Sequence, residues 1–180
     1  WTGMAPNLQE QMLLKDHVDG SAVFSVTSYM NLVAQGVDPD RDIRWFHYAD
    51  HGVDLYGNGV MVSRALLRDR PEAVAGLVRA IHRAVLDTIA DPDAAIAALA
   101  KREPLLDAAL EKRRLLYTLR TVMLTPAVAQ AGIGDVDDAR MGRAIAQLRT
   151  AFELSRAPAP GEVFDRRFLP PAAARRVVAS

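Results

Sequence analysis

Two patterns of hydrophobic positions follow each other along the chain. Up to residue 63, short apolar runs alternate with segments of helical spacing, and beyond it apolar side chains recur every three or four positions. Short apolar runs favour buried strands, whereas the wider spacing favours helices with one apolar face. The order of the two patterns predicts an α/β region followed by a helical region.

Three segments have the composition of strands. Residues 18–24 form a small apolar run, residues 43–48 are rich in aromatic and β-branched side chains, and residues 59–63 follow a glycine-rich turn. Strands that alternate with helices predict a mostly parallel sheet that is covered on both faces.

Capping residues and prolines mark the predicted helices. Pro71 opens a long helix with one apolar face, Asp91 and Pro92 restart it, and Gly36 ends an earlier helix. Aspartate at the cap position and proline in the first turn are typical of helix starts, and glycine is typical of helix ends. The predicted helices cover residues 7–17, 25–36, 71–90, 91–99, 105–124 and 138–154.

The composition narrows the class of protein. Half of the 180 residues are hydrophobic, and 22 basic residues balance 22 acidic ones. A chain without net charge has no field that attracts nucleic acid or an anionic membrane, so neither is an expected partner. No apolar stretch reaches the roughly 18 residues of a membrane span. The absence of cysteine excludes disulfides and thiolate chemistry. Because the sequence starts at Trp1 rather than at a methionine and shows no charged-then-apolar leader, we expect a mature or truncated chain.

The first candidate site follows the predicted strand 18–24. Phe24, Ser25, Thr27 and Ser28 combine an aromatic ring with hydroxyl groups at the start of a helix. In open α/β sheets, ligands lie beyond the carboxyl ends of strands, where helix N-termini present free amides. These residues are therefore predicted to contact a ligand. The alternative is that Ser25 or Thr27 only caps the helix and that Phe24 belongs to the core.

The second candidate site is the glycine-rich run 48–63, where the two patterns meet. Tyr56 and Asn58 offer a flat ring and an amide, and the flanking glycines permit close approach of a planar or small polar solute. Asp50 is a third candidate, because its carboxylate accepts hydrogen bonds from a ligand N–H. The alternatives are a packed Tyr56 beside a glycine turn and an Asp50 that caps the following turn.

No metal site or catalytic centre is predicted. His47 and His51 lie four residues apart near Asp50, but they span a predicted strand end and a turn rather than one face of a helix, and no third ligand follows. His82 and the basic run 112–114 are predicted to lie on solvated helix surfaces. No cofactor, catalytic triad or phosphate-binding loop is expected.

Several short motifs together carry a family resemblance. Their order and spacing resemble the C-terminal part of the solute-binding proteins of ABC importers, in the nitrate, sulfonate, taurine and thiamine-pyrimidine group. The resemblance covers nearly the whole chain. The motifs are residues 11–14, 18–20, 31–32 with 36–37, 48–52, 56–58, 71–74, 91–95, 134–137, 162–164 and 168–170.

The resemblance implies part of a two-lobed α/β fold, the type II periplasmic-binding-protein fold, whose lobes close over a ligand by hinge motion. The opening half of the first lobe has no counterpart here, which implies a fragment that associates with the missing segment or with a second copy. The implied domains are residues 1–50 as the remainder of the second lobe, 51–63 as the interlobe crossover and return strand, 64–157 as the helix-rich completion of the first lobe, and 158–180 as an extended C-terminal tail.

The same resemblance implies a periplasmic protein that binds a small polar or heteroaromatic solute in an interlobe cleft and delivers it to an ABC permease in the membrane. Such a protein is not an enzyme. Thiamine-pyrimidine synthases share the fold, but they use a cysteine-rich motif that this chain lacks. The alternatives are a ligand-sensing domain of a regulatory or signalling protein and a helical interaction module without a cleft.

Overall fold

The computed structural model describes residues 2–177, and every element of regular secondary structure in that range is helical. Short 3-10 turns occur at Pro6–Leu8, Tyr48–His51, Arg166–Phe168 and Ala172–Arg175, and a π-turn occurs at Leu119–Met123. The α-helices are α1 (Gln9–Leu14), α2 (Ser25–Ala34), α3 (Pro39–Asp42), α4 (Arg64–Asp69), α5 (Pro71–Ala90), α6 (Pro92–Arg102), α7 (Ala108–Thr118), α8 (Pro126–Ala131), α9 (Asp138–Ala151) and α10 (Pro160–Val163).

The predicted strands at residues 18–24, 43–48 and 59–63 do not form. Phe24 (φ −84°, ψ 115°) and Ile43 (φ −120°, ψ 133°) do have extended backbone. A strand also needs a neighbour that exchanges ladder hydrogen bonds with it, and no described segment provides one. The α/β, two-lobed prediction is therefore not confirmed for residues 2–177.

The long helices predicted at residues 71–90, 91–99 and 138–154 form, and Asp91 caps α6 as the sequence predicts. Asp91 caps α6 by accepting a hydrogen bond from the amide of Ala94 at 2.9 Å, and Asp137 caps α9 by accepting one from Arg140 at 2.7 Å. The predicted helix 105–124 begins later than expected, at Ala108, because Asp107 caps it there, and it passes into the π-turn at Leu119.

The chain divides into two compact units that alternate along the sequence. The first unit comprises the chain up to Trp45 together with Asp91–Val122. Within it, α7 packs against both α2 and α6. Its buried apolar side chains are Met30, Leu32, Ile96 and Leu119.

The second unit comprises Phe46–Ala90 and the chain from Met123 onward. Within it α4 packs against α5 and α10 against α9, with Val74 and Ala144 buried. The predicted domain ranges follow the lobes that the resemblance implies rather than these compact units, and they stay a prediction.

Arg175 holds the C-terminal segment against the rest of the second unit. Arg175 is only 6% exposed. Its guanidinium donates hydrogen bonds to the carbonyl oxygens of Pro170 and Ala131, both at 3.0 Å, and to the Asp135 carboxylate at 3.1 Å. Where an extended tail is predicted, residues 160–175 contain three short helical turns. Residues 178–180 of the predicted tail lie outside the described residues.

Asp135 receives two guanidinium groups. Arg166 donates to it at 2.8 Å, on the opposite oxygen from Arg175. Burial alone raises the pKa of the Asp135 carboxyl, but the hydrogen bonds from Arg166 and the amide of Val136, with the charges of both arginines, outweigh burial and hold that pKa below its ordinary value. The ion pairs therefore keep this partly buried carboxylate charged.

The prediction that His82 lies on a solvated surface is wrong. The residue is 8% exposed, and its ring lies between two backbone carbonyl groups. Nδ1 lies 2.9 Å from the oxygen of Val78, and Nε2 lies 3.1 Å from the oxygen of Ile133. The ring thus joins α5 to the loop before α9, and Gly134 in that loop has φ +79°.

We predict that Gly134→Ala destabilises the protein. A Cβ atom at this position would lie 2.6 Å from His82 Nε2, and the left-handed backbone is itself unfavourable for alanine. Together the two effects cost at least about 2 kcal/mol of unfolding free energy, measured by denaturant unfolding.

Gly142→Ala is the matched control for this prediction. Gly142 lies within α9, and nothing lies within 4 Å of a Cβ atom built there. Because alanine favours helix, this variant should gain up to about 1 kcal/mol. Equal stability of the two variants would contradict the packing described for His82.

Candidate functional site

The α2 turn, residues 24–28, carries four of the predicted site residues. The carbonyl oxygen of Phe24 accepts hydrogen bonds from the amides of Thr27 and Ser28, both at 3.0 Å, so these residues form the first turn of α2. Ser25 is half-buried, Thr27 is exposed and Ser28 is buried. The structure therefore brings the four residues together at one helix end.

Both alternatives for the α2 turn disagree with the structure. No side-chain oxygen caps α2, so neither Ser25 nor Thr27 is its N-cap. Phe24 is 75% exposed and does not belong to the core. The first turn also lacks an acidic residue. The amides of Ser25 and Val26 precede the first intrahelical hydrogen bonds, so this helix end retains donors and a partial positive charge.

A polar network from two other helices holds α2 in place. Arg114 on α7 donates to the carbonyl oxygen of Thr27 at 3.0 Å and to Asn31 Oδ1 at 3.4 Å. Asn31 in turn donates to Glu10 on α1 at 3.2 Å. Glu10 is buried. The network thus links α1, α2 and α7 within the first unit.

For Arg114, the prediction of a solvated basic run is wrong. Its side chain is 24% exposed and pairs with Glu111 at 3.1 Å, whereas Lys112 pairs with Asp93 at 2.6 Å. Arg113 is exposed, as predicted. Helical spacing places residue 114 on the same face of α7 as Leu110 and Tyr117. This spacing is the sequence signal that indicates a partly buried Arg114.

An aromatic cluster lies beside the α2 turn. Tyr29 stacks on Tyr117 with ring centroids 4.3 Å apart, and the centroid of Trp45 lies 6.3 Å from that of Tyr29. The Tyr29 hydroxyl donates to Asp40 at 2.7 Å. This hydrogen bond, followed by burial and the charge of Asp40, raises the pKa of Tyr29 to about 12.

We predict that Asp40→Asn lowers the pKa of Tyr29 toward its ordinary value of about 10. The carboxylate stabilises the neutral phenol and opposes the phenolate. Because the folded-state pKa is raised, this contribution to stability is complete below about pH 10 and is lost as pH rises toward 12. Tyrosinate absorbance measures the titration.

Asp42→Asn is the control, because Asp42 lies on the same short helix but pairs with Arg41 at 2.7 Å. This variant should leave the Tyr29 titration unchanged. An unaltered titration in Asp40→Asn would show that the phenol–carboxylate hydrogen bond is not formed.

The crossover segment, residues 51–63, contains Tyr56 and Asn58, and Asp50 directly precedes it. Tyr56 is half-buried, and its hydroxyl oxygen accepts a hydrogen bond from the amide of Asp137 at 2.7 Å. Asp50 and Asn58 are exposed. The segment belongs to the second unit, whereas the α2 turn belongs to the first.

Helix α9 anchors the crossover segment through polar side chains. The Arg140 guanidinium carbon lies 4.1 Å from the centroid of the Tyr56 ring, and the same group pairs with Asp54 at 2.6 Å and donates to the carbonyl oxygen of Leu55 at 2.9 Å. Gln147 donates to the carbonyl oxygen of Gly52 at 2.6 Å. Tyr56 is therefore an anchor of the segment, and its hydroxyl proton remains available as a donor.

An open apolar groove of about 530 Å³ lies between the crossover segment and α9. Most of its lining is aliphatic, so it offers little direct hydrogen bonding. The lining residues are Val53, Leu55, Ala146, Gln147, Leu148, Thr150 and Ala151.

We predict that Arg140→Ala releases the crossover segment from α9. The variant removes a cation–π contact and charge-assisted hydrogen bonds at a side chain 28% exposed, a loss of about 1–2 kcal/mol. Hydrogen exchange should accelerate at the amide of Asp137, which donates to the Tyr56 hydroxyl at 2.7 Å. Arg143→Ala, which changes an exposed arginine of the same helix, should leave that amide protected. Equal exchange in both variants would contradict this anchoring.

The described residues contain no group of three or more histidine, aspartate or glutamate side chains that could hold a metal ion. His51 ends a 3-10 turn, and its ring lies 6.1 Å from that of Phe46. Within residues 2–177, no helix has both the length and the apolar character that a membrane span requires.

Comparison with protein families identifies the class. The family described as NMT1/THI5 like matches residues 5–95, which is half of the chain and includes both the α2 turn and the crossover segment. The chain belongs to this family. The membership confirms the resemblance to solute-binding proteins of the nitrate, sulfonate and thiamine-precursor group.

One curated relative is the riboflavin-binding protein RibY of Chloroflexus aurantiacus. It is 28% identical over 165 residues, which make up 90% of this chain and 45% of the relative. The chain therefore spans less than half the length of the relative. No solved structure matches the chain.

Proposed function

We propose that this protein is part of the substrate-binding component of an ABC-type uptake system, and that it captures a planar heteroaromatic solute without chemical conversion. Membership of the NMT1/THI5 like family and the similarity to a protein named for riboflavin binding support the proposal. Its further elements are export to the periplasm and delivery of the solute to a membrane permease.

The observation that carries the proposal is the uncapped start of α2 beside an exposed Phe24. An exposed ring stacks on a flat solute, and unpaired amides at a helix start donate to ring carbonyls or to an anionic group. Riboflavin combines a planar ring system with several hydrogen-bond acceptors. The exposed Thr27 and half-buried Ser25 place hydroxyl groups at the same helix end, whereas buried Ser28 packs behind it.

A second set of solute contacts is proposed for Asp50, Tyr56 and Asn58. Asp50 and Asn58 are exposed, so a solute can reach their side chains. Tyr56 has its ring beside Arg140, and its hydroxyl can still donate. The side chains of these three residues offer hydrogen bonds that would select among solutes of similar shape.

We predict that riboflavin binds the chain and raises its melting temperature. A solute at 100 times its dissociation constant stabilises a protein by about 2.7 kcal/mol. Quenching of flavin fluorescence and thermal shift measure this, and nitrate, taurine and a thiamine pyrimidine complete the panel. A chain that binds none of these compounds would contradict the proposal.

Point variants locate the solute on the chain. Phe24→Ala should weaken binding about tenfold, which is about 1.4 kcal/mol, because a stacking surface is lost. Phe152→Ala is the control, since Phe152 is 69% exposed and lies outside both candidate groups. Asp50→Ala and Asn58→Ala should each weaken binding if these side chains contact the solute, and Tyr56→Phe removes the hydroxyl but retains the ring.

A further inference from the structure

We infer that Arg114 is a positioning residue for the α2 turn and thereby sets solute affinity. The part of this inference that concerns affinity rests on the proposed function. Arg114 lies on α7, 87 residues after Thr27, whose backbone it contacts. The inference assigns it no contact with the solute.

Three nitrogen atoms of the Arg114 guanidinium have separate partners. Nε donates to the Glu111 carboxylate at 3.1 Å, one terminal nitrogen donates to the Thr27 carbonyl at 3.0 Å, and the other lies 3.4 Å from Asn31 Oδ1. The planar group therefore contacts two successive turns of α2 from one fixed direction. Two contacts one turn apart restrict both the rotation and the sliding of a helix.

The charge of Arg114 is balanced by its neighbour. Glu111 lies one helical turn earlier on α7, and both side chains are about one quarter exposed, at 26% and 24%. With its donors directed at protein oxygens and its charge paired, the guanidinium is unsuited to hold an anionic solute directly. Its effect is on the orientation of α2.

The hydrogen-bond network of Arg114 extends to α1. Asn31 accepts from Arg114 through its oxygen and donates to the buried Glu10 through its nitrogen. Asn31 on α2 thus links α7 to α1 through hydrogen bonds. Aspartate side chains cap the starts of α6, α7 and α9, whereas the start of α2 has no side-chain cap. The network around Arg114 therefore restrains the first turn of α2 in place of a cap.

The test compares Arg114→Met and Arg114→Lys with Lys112→Met. Lys112 is also a cation on α7 with an ion-paired carboxylate, but its partner is Asp93 at the start of α6. Both Arg114 variants should bind riboflavin about tenfold more weakly than the wild type. Methionine has no donor for the three acceptors, and the single ammonium group of lysine cannot donate to all three in a planar array. Lys112→Met should bind within about twofold of the wild type.

Two measurements on the protein without solute separate positioning from general stability. Hydrogen exchange should accelerate at the amides of residues 27–31 in the Arg114 variants and stay unchanged in α6. The near-ultraviolet circular dichroism of the Tyr29–Tyr117 stack should also change, since rotation of α2 moves Tyr29. A merely structural role would instead accelerate exchange throughout the first unit, and affinity would follow the melting temperature.

The outcomes distinguish this inference from the proposed function. If the wild-type chain binds riboflavin and both Arg114 variants bind it equally tightly, the inference is overturned and the proposed function stands. If the wild-type chain binds no compound of the panel, the proposed function fails and with it the link to affinity. In that case, unchanged exchange at residues 27–31 would also overturn the restraint of α2 by Arg114.

Discussion

The hydrogen-bonding demand of helix ends is the constraint on which the described structure depends. Residues 2–177 contain no sheet, so backbone groups outside the helices find their partners in turns, in side chains or in water. Aspartate side chains meet this demand at the starts of α6, α7 and α9. The start of α2 lacks such a cap and carries the exposed Phe24 beside it, and the two features together make it the helix start proposed to contact a solute.

Arginine provides the second type of restraint, between segments that are distant in sequence. Arg114 donates to the Thr27 carbonyl, Arg140 to the Leu55 carbonyl and Arg175 to the Ala131 carbonyl. Each guanidinium also contacts a carboxylate of its own unit, which compensates for its partial burial. A chain with balanced charges can thus immobilise irregular segments without disulfides.

The candidate site was predicted in part from the sequence. The position of Phe24 directly before a helix, and the flat Tyr56 within a glycine-rich run, were both evident from local patterns. The partners of these residues were not. Arg114 and Arg140 lie more than 80 residues away along the chain from the backbone atoms that they contact, and a local pattern contains no information about such a pairing.

The sequence by itself determined the long helices, their caps and the absence of thiol chemistry, because these follow from neighbouring residues. Only the tertiary structure decided that the predicted strands do not form and that His82 is buried. An apolar run becomes a strand only beside another strand, and none of the described segments offers one. Helical periodicity alone predicts a surface position for His82 on α5. In the structure the Ile133 carbonyl lies against its ring, because burial depends on segments that are distant in sequence.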